Sequence, residues 1–412
     1  MRIRSITFFT NPKYPIHEET LQQAGSFNKA ARQAFEAAGF TVQSARLATI
    51  PFPYIKRHWT QNELVDFARQ LETIANQAGF EYVSLGPALP QAVANYSLIP
   101  AVLSATESVF LSGDMTTPNF KVVLPAVKAC ARVIHESAAI TPNGFANLRF
   151  TALANVPPGA PFFPASYAKD DKPAFALAIE AAPLAVQAFE NAENLDEGCN
   201  QLTANIEKHA KVLEEVADEL VERFGLKFKG IDFSLAPFPE PSFSLGTAFE
   251  NMGVTAVGMS GSLAAATLLA NAVDRANFKR TGFCGIFLPV LEDAVLAQRA
   301  AEGCLTISDL LLYSAVCGAG LDTLPLPGDI SVEALTAILL DLASLALRLD
   351  KPLTARLMPI PGKKAGDETN FDFDYFANSR IMPVKAGALQ GAMAKNALVS
   401  IQPRRKKGTS SP

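Results

Sequence analysis

The segment Ser314-Ala315-Val316-Cys317-Gly318-Ala319-Gly320-Leu321-Asp322-Thr323-Leu324-Pro325-Leu326-Pro327-Gly328-Asp329 follows a helical pattern over 307–316 and gathers a cysteine, glycines and two aspartates into one short span. Glycines let the backbone take positive φ or approach another chain closely, as a loop threaded into a crowded interior requires. A thiol in such a loop can act as a nucleophile or radical carrier. Asp322 and Asp329 can bind a cation or serve as bases. The same residues also describe a buried cysteine beside an ordinary glycine-rich turn, and spacing alone leaves both readings open.

Outward from this segment, β-rich runs alternate with helical patterns almost from end to end. Strands are expected at 3–10, 41–47, 82–85, 108–112, 148–154, 175–180, 230–235, 254–258, 282–288 and 354–360. Helices are expected at 27–38, 63–78, 98–106, 120–137, 205–224, 243–251, 263–276, 294–301, 307–316 and 332–349, several closed by glycine, as at Gly39, Gly79 and Gly225. The Pro-Pro-Gly at 157–159 reads as a turn. Alternating βα units imply a mainly parallel sheet covered by helices. One continuous series without a Gly/Ser-rich linker favours a single α/β barrel domain over residues 1–400. Residues 401–412, with Arg404-Arg405-Lys406-Lys407, read as a disordered basic tail.

The chain has 412 residues, 49% hydrophobic and 18% charged, enough for a sizeable core and unlike a disordered or coiled-coil composition. A net charge of -4 and a pI near 5.7 give no electrostatic footprint for nucleic acid or anionic lipid. The five cysteines are widely spaced without a Cys-x-x-Cys pair, which fits a reducing compartment rather than a disulfide framework. No signal-peptide pattern opens the chain, and no apolar run reaches about 18 residues without a charge. The expectation is a cytoplasmic protein that binds a small molecule, without nucleic acid or membrane partners.

Two further motifs resemble site loops. Leu288-Pro289-Val290-Leu291-Glu292-Asp293 sets two carboxylates after an apolar strand, and Pro361-Gly362-Lys363-Lys364-Ala365-Gly366-Asp367 follows another strand with lysines and an aspartate. Loops at the carboxyl ends of parallel strands converge on the site in α/β folds. Glu292 reads equally as an acid in the first turn of the next helix. Gly258-Met259-Ser260-Gly261-Ser262 opens a helix: Ser260 could hold an anion there or act as an N-cap. The four histidines lack zinc spacing, and no nucleophile elbow, P-loop or dinucleotide fingerprint is present, so no nucleotide cofactor is expected.

The motifs from Gly230-Ile231-Asp232 through Glu250-Asn251-Met252-Gly253, Gly282-Phe283-Cys284-Gly285, Cys317–Asp329 and Arg356-Leu357-Met358-Pro359 to Gly366-Asp367 resemble the DUF711 (UPF0210) family. The match covers about 228–385, with looser likeness around Phe150–Asn155. The resemblance implies a fold similar to pyruvate formate-lyase and ribonucleotide reductase: a ten-stranded α/β barrel with a finger loop inside. In the radical enzymes that loop tip carries the reactive cysteine, so Cys317-Gly318-Ala319-Gly320-Leu321-Asp322 would be the loop. The region Lys385–Pro412 lacks the glycyl-radical motif, so no glycyl radical is expected. The family's Phe-Gly-Gly-Leu-Leu-Gly reads here Phe371-Asp372-Phe373-Asp374-Tyr375-Phe376, which marks a divergent member.

The expectation is a non-radical enzyme acting on a small polar metabolite in the barrel. Cys317 and Asp322 would be catalytic, and Gly318, Gly320, Ser260, Lys363 and Asp367 would bind substrate. Asp329, Glu292 and Asp293 would hold a divalent cation. The alternative is a barrel that binds or senses a ligand without catalysis; a homodimer formed through exposed helices is a third idea.

Overall fold

Runs such as Ile3–Thr10 and Leu353–Ile360 are rich in β-branched and large apolar residues, and they form strands buried on both faces, the pattern of a sheet covered by helices. The structure, a computed structural model, describes residues 1–316, 318–395 and 398–404. Its strands are β1 (Arg2–Thr10), β2 (Ala45–Thr49), β3 (Tyr82–Ala88), β4 (Val109–Asp114), β5 (Thr116–Thr117), β6 (Lys121–Val123), β7 (Phe150–Ala154), β8 (Ala174–Glu180), β9 (Lys227–Asp232), β10 (Gly320–Pro327), β11 (Leu353–Ile360) and β12 (Leu398–Ser400).

Nine of them share one sheet in the order β10-β11-β7-β4-β3-β2-β1-β8-β9. The central five run parallel; β8 is antiparallel to β1 and β11 antiparallel to β7. β9 then follows β8 in parallel, and β10 follows β11. The sheet therefore consists of two oppositely directed sets. Helices cover it through faces such as Leu64, Phe67, Leu71 and Ala75 of Gln61–Gln77, a helix started by a capping box between Thr60 and Glu63. β12, β6 and β5 form a separate small sheet. Among the described residues no helix is long and apolar enough to cross a membrane.

The α/β class is as expected; in place of the expected ten-stranded barrel, the described residues form a nine-stranded sheet whose ladders do not close. Segment 280–290, which includes the expected strand 282–288, joins no ladder. It makes isolated parallel bridges, Ile231 to Arg280 and Leu235 to Ile286 on the β9 side and Pro289 to Asp322 on the β10 side. Leu235 N–H donates to Gly285 O at 2.8 Å and Val290 N–H to Asp322 O at 3.1 Å. Cys284 at φ 46° and Gly282 at φ 69° break the extended conformation that a ladder needs. The expected strand at 254–258 is a turn region, bounded by Gly253 and Gly258 at φ 98° and 105°.

Gly320–Asp322, assigned above to a finger-loop tip, open strand β10 instead. The segment that buries itself without regular structure is 159–168, between β7 and β8, where Ala160, Phe162, Phe163, Ala165 and Ala168 are all buried. A buried loop must place its backbone polar groups. Here Thr7 of β1 donates to Pro161 O at 2.9 Å, Ser84 of β3 to Ser166 O at 2.7 Å, and Thr281 to Gly159 O at 3.1 Å. Ala168 N–H reaches Thr49 O of β2, and Gly159 N–H closes the loop on Tyr167 O.

At the C-terminus, Ile401 N–H donates to Phe120 O and Arg404 N–H to Arg348 O, so the chain stays docked beyond β12 as far as Arg404; residues 405–412 of the expected tail lie outside the described residues.

Candidate functional site

A cavity of about 710 Å³ opens on the inner side of the sheet. Its wall comes from the amino ends of β1–β4 and β7 (Arg4, Arg46, Tyr82, Phe110, Thr151), from the oppositely directed set (Asp322, Arg356) and from Glu292 in the turn after 280–290. The buried loop supplies Phe162, Phe163, Pro164 and Ala165 as its floor. The mouth therefore lies at the amino ends of one set of strands and near the carboxyl end of 280–290.

A chain of alternating charges runs along the wall. Arg4 donates to Glu180 at 3.1 Å and to Glu292 at 2.6 Å; Arg356 donates to Glu292 at 2.6 Å and, through Nε, to Asp322 at 2.5 Å. Gln43 adds a 2.8 Å bond to Glu180. Charge-assisted bonds of this length, held away from water, fix the side chains far more firmly than surface pairs do.

Backbone irregularities present two of these groups. The β1–β8 register slips between Ile3 and Ser5, so Arg4 is the extra residue of a bulge. The β10–β11 register slips between Leu321 and Leu324, placing Asp322 and Thr323 in a second bulge with Thr323 at φ 43°. A β-branched residue in the left-handed region is a real outlier, and bulges re-aim side chains beside functional sites.

The environments separate the two central carboxylates. Burial pushes Glu292 up, but the guanidinium groups of Arg356 and Arg4 overcome it and hold its carboxyl below the ordinary 4.5. Burial also pushes Asp322 up, and Arg356, opposed by the nearby charge of Glu292, offsets only part of that, so its carboxyl ends above the ordinary 3.8. The two neighbouring carboxyls thus diverge in proton affinity, Glu292 below and Asp322 above their ordinary values. No histidine or lysine lines the cavity among the described residues.

The remaining expected site residues do not join this wall. Asp293, fully buried, accepts from Ser244 Oγ, Leu245 N and Gly246 N and also caps the helix Ala294–Ala301 through Val295 N and Leu296 N. It knits two helix starts together, with both carboxylate oxygens already accepting hydrogen bonds. Glu292 is claimed by two arginines, and Asp329 is exposed in the turn after β10. The three proposed cation ligands are thus not assembled, and the described residues contain no group of three or more His, Cys, Asp and Glu able to hold a metal.

Lys363 and Asp367 sit in the turn after β11, where Asp367 is exposed and accepts from Lys364 N at 2.7 Å. Ser260 is exposed, and the N-cap position beside it is Gly261. Gly318 packs tightly: a Cβ there would lie 3.1 Å from Gly285 Cα; one at Gly320 would meet Thr354 O at 2.3 Å. Both glycines serve close backbone approach. Cys317 lies outside the described residues.

Of the other thiols, Cys284 donates to Thr281 O at 3.1 Å, and burial pushes it up to about 12, far from thiolate chemistry. Nearby Asp232 accepts from Phe283 N, Cys284 N and Ser234 Oγ, which pins the turn that breaks the 280–290 segment.

The arginines were missed by sequence reasoning. The available signal was an arginine inside an otherwise apolar strand, as in Leu353-Thr354-Ala355-Arg356-Leu357 and Ala45-Arg46-Leu47. A buried strand tolerates that charge only with a partner.

Comparison with known proteins places the likeness over most of the chain rather than its second half. The family model described as "Uncharacterised ACR (DUF711)" matches residues 1–379. Among curated relatives, a UPF0210 protein of Pyrobaculum arsenaticum is 31% identical over 82% of this chain and 78% of its own length. Another from Methanopyrus kandleri is 29% identical over 86% and 82%. One from Syntrophobacter fumaroxidans is 28% identical over 87% and 83%.

Proposed function

This chain belongs to the DUF711 family, and from that premise and the charged cavity wall we propose a non-radical enzyme acting on a small polar metabolite. Asp322 is the proton-transferring group. The observation that carries this reading is the β10 bulge, which holds a β-branched residue at positive φ and turns an Asp322 carboxyl of raised proton affinity into the cavity. Oδ1 of Asp322 takes Arg356 Nε, while Oδ2 has no hydrogen-bond partner among the described residues and is available to a ligand. Glu292, kept ionised by two arginines, orients Arg356 and fixes its charge.

We read the bridges through 280–290 as the tenth strand of a barrel and the 159–168 loop as the element that plugs it; both readings extend the ladders described above. Cys317 stands two residues before Ala319, which packs with Phe283 and Phe287, and is retained as a candidate nucleophile. Binding without turnover is the second reading, favoured by Phe373: the divergent segment sets an aromatic ring at the cavity where the family pattern has glycine.

The test is a panel of keto acids, amino acids, carboxylates and phosphorylated metabolites, read by thermal shift and by mass spectrometry for turnover. Asp322→Asn should retain ligand-induced stabilisation and lose turnover by about 100-fold or more. Turnover undiminished in Asp322→Asn removes Asp322 from the chemistry. Turnover lost in Cys317→Ala but kept in Asp322→Asn would move the chemistry to the thiol.

A further inference from the structure

Arg46 stands apart from the charge chain. Its side chain is only 8% exposed, its Nε donates to Ser44 Oγ at 3.0 Å, and no carboxylate lies within ion-pair distance among the described residues. The guanidinium is 5.6 Å from the Tyr82 ring centroid and 5.2 Å from that of Phe163. Burial, reinforced by the charge of Arg4, lowers its proton affinity to about 10. Arg149, the other cavity arginine without a carboxylate, differs: its Nη groups donate to the carbonyls of Leu103, Thr106 and Val109. A guanidinium offers five donors in a planar fork, and on Arg46 the protein engages only Nε. A buried cation left in that state is costly unless something in the cavity accepts from it.

The surroundings limit what that acceptor is. The three carboxylates Glu180, Glu292 and Asp322 are met by three guanidiniums, Arg2, Arg4 and Arg356, so the wall beside Arg46 holds no spare positive charge for a second negative charge. With no lysine in the lining among the described residues, a phosphate dianion would lack donors, whereas one carboxylate matches the fork of one arginine. Phe162, Phe283 and Phe287 form a ring cluster on the same cavity, with Phe162 and Phe287 centroids 4.6 Å apart. A volume of about 710 Å³ far exceeds what a bare carboxylate fills and lies in the range of sites for larger organic ligands.

We infer that the cavity takes a monoanionic carboxylate with a flat apolar body, the carboxylate forked on the Nη groups of Arg46 and the body stacked against Phe162, Phe283 and Phe287. This rests on the cavity being a ligand site, as proposed above, and adds the class of ligand.

Isothermal titration of the full chain with 1-naphthylacetate tests it. The expected result is binding at least tenfold tighter than acetate, inorganic phosphate or the neutral 2-(1-naphthyl)ethanol, and at least tenfold weaker in Arg46→Met. Arg46→Met should melt no lower than the parent, because it removes an uncompensated buried charge. Should it fail to fold, Arg46→Lys, which keeps the charge but not the fork, should still lose at least fivefold. Equal affinity for the neutral alcohol, undiminished binding in both Arg46 variants, or phosphate binding as tightly as naphthylacetate would each overturn the inference. Asp322→Asn separates the two proposals: naphthylacetate binding retained there, with turnover undiminished in that variant or absent from the parent throughout the metabolite panel, leaves the ligand class standing and removes the chemistry.

Discussion

Replacing Glu292 by glutamine keeps the side chain's shape and deletes the charge that two buried guanidiniums share. Arg4 and Arg356 each donate to it at 2.6 Å, and its side chain is 7% exposed, so water cannot substitute. Removing one partner of a buried pair costs about 3–5 kcal/mol. Here each arginine keeps a second carboxylate, Glu180 or Asp322, which places the loss near the lower bound, about 3 kcal/mol. At roughly 2.1 cal/mol/K per residue, the 412-residue chain unfolds with an entropy near 0.9 kcal/mol/K, so Tm should fall by about 3 °C in differential scanning calorimetry at neutral pH. Because the cluster is buried, 1 M salt should leave the difference in place. The sign of the pH effect is fixed as well. Glu292 has a depressed affinity for protons in the folded state, so its stabilisation is full above 4.5 and is lost as pH falls further; parent and Glu292→Gln should converge in acid. A Tm change under about 1 °C at neutral pH, or a difference erased by salt, would show that the alternating chain does not hold the wall.

Two further outcomes follow from the bulge and from a lone buried acid. Thr323→Gly relieves positive-φ strain but gives up the 3.3 Å bond from Leu291 N and some unfolded-state restriction; denaturant unfolding should place it within about 1 kcal/mol of the parent, while Thr323→Val, still strained and without the acceptor, loses about 1–3 kcal/mol. A reversed order would refute the strain. Asp114 has no cation partner among the described residues, and burial raises its carboxyl from 3.8 to about 7, against bonds from Thr116 N and Oγ1. A raised carboxyl contributes stability in acid that is lost as pH climbs through the window between those values, so urea midpoints should fall over that range in the parent and fall less in Asp114→Asn; parallel profiles would show that Asp114 does not titrate there.

How much of this was legible in the sequence varies with the physics of each segment. Strands rich in β-branched residues, such as β1 and β11, and amphipathic helices such as Val332–Leu349 declare themselves by period and composition. Strand β10 was hidden by Pro325 and Pro327. Prolines two residues apart remove donors from only one flank of a strand, and β10 keeps its ladder with β11 on the other. The loop at 159–168 was readable only as a turn because Pro and Gly mark loops, and loops are ordinarily solvated; the counter-signal was Phe162-Phe163 amid prolines, too apolar for a surface. Glu292 and Asp322 were identified as carboxylates of interest, but their arginine partners come from strands more than 30 residues away or across the fold, a pairing that no local pattern encodes.

The cavity's floor and its charged wall come from different stretches of chain: the floor from one irregular connection, the wall from strands locked by register. Residues 162–165 can therefore change in bulk while every ion pair stays in place. Bulk at the floor and charge along the wall are set by separate stretches of sequence, so a substitution in one leaves the geometry of the other untouched.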